Sequence, residues 1–71
     1  MIFQFEIELM SSITNKLFWA DAYIDLTKIV AIHRNHSEIA DDCTSIMLSS
    51  GMELVVNMPI NEVRKLWEAA L

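Results

Sequence analysis

The stretch "TSIMLSSGMELVVNMP", Thr44 to Pro59, decides the fold. Thr44, Ile46 and Leu48 alternate with Ser45, Met47 and Ser49; Met52, Leu54, Val56 and Met58 alternate with Glu53, Val55 and Asn57. A period of two marks a half-buried strand. Between the two runs stands Ser50-Gly51, and Gly51 is the only glycine of the chain. Lacking a Cβ, it can take the positive φ that a tight hairpin turn needs. The stretch is therefore predicted to be a β-hairpin. Pro59 closes it, because proline has no N–H for a ladder, and the same residue suits the first turn of a helix.

Beyond Pro59 the period changes. In "PINEVRKLWEAAL" the residues Ile60, Val63, Leu66, Trp67, Ala70 and Leu71 fall on one stripe about 140° wide at helical spacing. Asn61, Glu62, Arg64, Lys65 and Glu68 take the other side. A helix over about 60–71 follows. Three turns are marginal in isolation, so its apolar face must dock. Val63, Leu66 and Trp67 are its core or interface candidates, with Trp67 pinning the helix to a sheet.

Upstream the signals are again extended. "IFQFEIELM", residues 2–10, sets Phe3, Phe5, Ile7 and Leu9 against Gln4, Glu6 and Glu8. "SSITNK" is a polar turn. "LFWADAYIDL" sets Phe18, Ala20, Ala22 and Ile24 against Trp19, Asp21, Tyr23 and Asp25. "TKIVAIHR" is rich in β-branched residues and predicts a third strand from about Ile29 to Arg34. From Asn35 to Asp42 the polar composition predicts a long loop. The whole chain, 1–71, reads as one small domain of α+β class. It is expected to be an antiparallel five-stranded meander or small open barrel with one C-terminal amphipathic helix.

Composition narrows the partners. A chain of 71 residues buries a small fraction of its surface, yet 54% of it is hydrophobic. That excess predicts a homo-oligomer. One cysteine cannot form an internal disulfide and points to a reducing compartment. The N-terminal stretch has no basic region before an apolar run, and nothing approaches the length of a membrane span. The expectation is a cytoplasmic protein of bacterial or phage origin. Ten acids against five scattered bases, net charge −5, argue against duplex DNA as a partner.

Chemistry concentrates in "HRNHSEIADDC", His33 to Cys43, which holds both histidines and the cysteine. Zinc needs about four ligands in tetrahedral array. One cysteine and two histidines three apart, which a strand points to opposite faces, do not supply it. A Cys43 nucleophile would need a histidine base beside it; a small buried thiol is the plainer reading. No catalytic residue, metal or cofactor is assigned. An anion could be met by His33, Arg34, His36 and Lys28. Trp19 and Tyr23 are the aromatics placed to stack on a ligand.

From about Tyr23 to Trp67, through "IDLTKIVAI", "TSIMLSSGMELVV" and "INEV", the chain resembles the small flagellar FlbD-like proteins. It departs from them in the glycine-free "SSITNK" turn and in the length of the polar segment after Arg34. The resemblance implies a strand-rich fold with a C-terminal helix and a non-enzymatic role, and brings no catalytic residue with it. The functional expectation is a non-enzymatic, self-associating binding or accessory module acting on a protein partner or a small ligand. One alternative is a phage-type counter-defence protein that sequesters a small anion, such as a signalling nucleotide, between subunits. A further alternative is an RNA-binding regulator.

Overall fold

A computed structural model describes all 71 residues. Five antiparallel strands form one open sheet: β1 (Ile2–Met10), β2 (Leu17–Asp25), β3 (Ile29–Ser37), β4 (Ala40–Leu48) and β5 (Glu53–Val56). A 3-10 turn, Leu26–Lys28, joins β2 to β3, and helix α1 (Ile60–Ala70) closes the chain. The class is α+β, as expected. The sheet order is β2-β1-β5-β4-β3. The strands are sequential neighbours within two blocks, β1–β2 and β3–β4–β5, and the blocks join where β1 meets β5. That leaves β2 and β3 as the two free edges.

The register explains the alternation in the sequence. Phe3 lies opposite Ile24, Phe5 opposite Ala22, Ile7 opposite Ala20 and Leu9 opposite Phe18, so the apolar sets of β1 and β2 share one face. On the same face Thr44 pairs with Val56 and Ile46 with Leu54. Phe5, Ile24, Leu26, Ile29, Ile46, Val56 and Val63 pack together as the buried core. At roughly 1.5–3 kcal/mol for each large apolar side chain taken from water, these few residues carry most of the hydrophobic stabilisation.

The ends of β5 are locally determined. Gly51 has φ +92° in the β4–β5 turn, where the Gly51 and Leu48 N–H groups donate to the carbonyls of Leu48 and Met52. At the other end Asn57 N–H donates to the Glu6 carbonyl, and Met58 N–H folds back onto Val56. The expected strand through Met58 is thus cut to Glu53–Val56. Thr44, fully buried, donates its hydroxyl to the Met58 carbonyl at 2.8 Å and fixes the turn into the helix. Pro59 caps α1 by conformation alone, with its carbonyl accepting from Glu62 and Val63 N–H groups. Along α1 the expected stripe faces inward: Val63 is fully buried, while Leu66, Trp67 and Ala70 pack against the core. Leu71 is the exception; it lies past the last helical residue and is exposed.

One expectation is corrected. Asn35 to Asp42 is not a long loop. β3 runs on to Ser37, a two-residue turn at Glu38–Ile39 reverses the chain, and β4 starts at Ala40. Ser37 pairs with Ala40 and Asn35 with Cys43. The polar composition has a physical cause other than a loop. β4 pairs with β5 only from Thr44 to Met47, so the tip of the β3–β4 hairpin overruns the core and is solvated on its outer margins. Nine-residue hairpins that outrun a four-residue central strand also explain the elongated shape, 39 × 22 × 19 Å.

Candidate functional site

His33 to Cys43, with both histidines and the cysteine, lies in the β3–β4 hairpin. The two histidines make separate contacts. His33 Nδ1 lies 3.1 Å from the Arg34 carbonyl, and its Nε2 is 3.9 Å from a Glu53 carboxylate oxygen. His36 Nδ1 lies 2.9 Å from the Asp41 carbonyl across the hairpin. No three side chains of His, Cys, Asp or Glu gather where they could hold a metal ion. Cys43 is fully buried, its Sγ 3.6 Å from the Ala40 carbonyl. Burial pushes its thiol up from the ordinary value of 9.0, and the nearby carboxylates of Glu8, Asp42 and Asp41 push the same way. A nucleophilic thiol needs the opposite, a depressed pKa and access. Asn35 donates to the buried Ser45 hydroxyl at 2.7 Å, so the polar groups beneath the hairpin satisfy one another.

The six residues named as ligand candidates divide by edge. Trp19 and Tyr23 stand on β2, and His33, Arg34 and His36 on β3, the opposite margin of the sheet. His33 pairs with Ser45 and Arg34 with Thr44, so adjacent positions place the two on opposite faces of β3. They do not converge as one site within a single chain. Tyr23 and Lys28 do come together, at a groove that sequence reading did not single out.

The groove has a volume of about 350 Å³. Its walls are Ile7 of β1, Ala22 and Ile24 of β2, Leu48 of β4 and Leu54 of β5. Tyr23, Asp25, Lys28 and Met52 complete the lining, with Tyr23, Lys28 and Met52 exposed at the rim. It exists because α1 packs mainly against β3, β4 and the 3-10 turn, away from the β1–β2 side of the sheet. Asp25 is committed to local structure: its Oδ1 accepts from the Thr27 hydroxyl at 2.7 Å and the Thr27 N–H at 3.0 Å. The hydroxyl bond first, then the backbone bond, holds this carboxyl below its ordinary value of 3.8. Lys28 has no carboxylate within ion-pair distance; Asp25, at the same groove, pairs instead with the Met1 ammonium at 3.6 Å. The alternating pattern contained the wall residues, but only the sheet order brings Ile7 near Leu54.

The edges differ in kind. The β1–β2 ladder is continuous over all nine residues of β2, and its outer edge carries no proline, glycine, lysine or arginine. β3 has irregular register at Ile29–Ala31 and at Asn35–Ser37, bears Arg34 and both histidines, and packs against α1. Bulges, charge and cover are the devices that blunt an edge. β3 has all three; β2 has neither bulge nor cover, and its only charges are Asp21 and Asp25.

Family models, curated proteins and solved structures were all compared with this chain, and none matches. No helix is long and apolar enough to cross a membrane.

Proposed function

We propose that this chain is a non-enzymatic, self-associating binding module of the cytoplasm, in which two copies pair along β2. The carrying observation is the nine-residue, bulge-free edge of β2, regular and uncovered where β3 is bulged and packed against α1. An unpaired row of N–H and C=O groups is a template for a second strand. Large apolar residues exposed on this half of the molecule, Leu9, Met10, Phe18 and Tyr23 among them, supply surface for such a contact. A second copy is the occupant favoured, because a short chain with a small core and an apolar excess gains stability by association.

The test places one lysine on each face of the edge, Phe18→Lys with Asp21→Lys, and measures mass by sedimentation velocity. The wild type is expected to be dimeric and the double variant monomeric with an unchanged circular dichroism spectrum. A wild type that stays monomeric at high protein concentration overturns the reading.

A small-ligand role is the second reading, favoured by the groove that joins Tyr23 and Lys28. For RNA no comparable feature supports a proposal, since the five bases are dispersed over a net charge of −5.

A further inference from the structure

We infer that the groove between β2 and the β4–β5 turn binds an amphipathic monoanion: an apolar body of medium acyl length carrying one acidic head group. The inference deepens the small-ligand reading and does not depend on pairing through β2.

Three observations select this class. The walls, Ile7, Ala22, Ile24, Leu48 and Leu54, are hydrocarbon, so they reward an apolar body and offer no donors or acceptors to read a nucleobase. The volume of about 350 Å³ lies at the small end of ligand sites, which suits a single chain or ring system. Lys28 is the one cationic side chain of the lining, and it is free of an ion pair, while Asp25 is engaged by Thr27 and by the Met1 ammonium. One ammonium matches one negative charge. A di- or triphosphate would bring several charges to a rim that also carries Asp25, on a chain of net charge −5.

The ammonium is solvent-exposed, so its contribution is modest and salt-dependent. The affinity comes from burying the apolar body, and Lys28 sets the preference for an anion over its neutral analogue.

The experiment titrates decanoate and, separately, decanol into the isotopically labelled protein, followed by amide chemical shifts. It is run on the wild type, on Lys28→Gln, on Ala22→Phe, and on the edge-blocked Phe18→Lys/Asp21→Lys protein. The expected result is saturable shifts clustered at Ile7, Ala22, Leu48 and Leu54. Lys28→Gln weakens decanoate about threefold, as expected for loss of an exposed ion pair, and leaves decanol unchanged. Ala22→Phe fills the groove and removes both ligands; the Lys28→Gln comparison stands alone should that variant not fold. Binding retained by the edge-blocked protein places the site within one chain, whatever the oligomeric state. Shifts that do not saturate, or that cluster on β3 around His33 and Arg34, overturn the groove as the site. Loss of binding in the edge-blocked protein overturns its completeness in one chain. Failure of wild-type dimerisation alone touches only the β2 pairing.

Discussion

The Ser37 hydroxyl donates to the Glu8 carboxylate, although β3 and β1 are separated in the sheet by β4 and β5. It is a side-chain tie from the tip of the β3–β4 hairpin to β1, made with no backbone ladder between those two strands. Ser37→Ala is expected to loosen the tip alone. Amides from Asn35 to Ala40 should exchange about tenfold faster, in line with the loss of about 1–2 kcal/mol for a partly buried bond to a charged group. The melting transition should hardly move. Unchanged exchange at the tip would show that the hairpin is held by its own ladder.

Val63 and Leu71 occupy the same predicted helical stripe but differ in burial, 0% against 84% exposed. Val63→Ala should cost about 2 kcal/mol in urea unfolding, because it opens a cavity between α1 and the sheet. Leu71→Ala should change stability by less than about 0.5 kcal/mol. Equal costs would mean that α1 docks differently from the arrangement described.

Cys43 makes a pH-dependent contribution with a definite sign. The folded thiol titrates above 9.0, so above that pH the unfolded chain releases a proton that the folded chain keeps. Stability is fully present below pH 9 and declines as pH rises toward the folded value. Cys43→Ala should abolish this part of the alkaline decline, read as a flatter dependence of unfolding free energy on pH. In native buffer the wild-type thiol should react with an aromatic disulfide reagent only as fast as the chain opens, and promptly once unfolded.

Asp25 acts at the other end of the scale. Its folded carboxyl titrates below 3.8, so stability is present above that pH and is lost as pH falls through the folded value. Asp25→Asn keeps a hydrogen-bond acceptor for Thr27 but removes the titration. Its acid unfolding curve should be shallower than that of the wild type below about pH 4. Identical acid curves would show that the cap does not differ between folded and unfolded chains.

Much of the fold was legible because it rests on local period. Alternation about Gly51 located β4 and β5, and the change of period after Pro59 located α1 with Val63 on its inner face. What was not legible was the segment Asn35–Asp42. Polarity points to a loop, whereas two strands paired to each other and extending past the core can be polar and still complete their ladder. The groove was hidden for a different reason. Ile7 and Leu54 are far apart in the chain, and their proximity follows from β1 pairing with β5, a choice no local pattern encodes. Likewise, residue type alone groups Trp19 and Tyr23 with His33 and Arg34, and the sheet order puts them on opposite edges.

The single register pair between Ile7 and Val56 has a kinetic side. The β1–β2 and β3–β4 hairpins close over short loops, each able to form on its own microsecond clock. Joining them requires residues about fifty positions apart to meet, an entropic toll that grows with the logarithm of the loop and must be met before any packing rewards it. The Val63 side of α1 forms last in sequence and touches the β3–β4 half. The chain is therefore expected to assemble its C-terminal half as a nucleus and to capture the N-terminal hairpin late. Substitutions in β1 should then speed unfolding more than they slow folding.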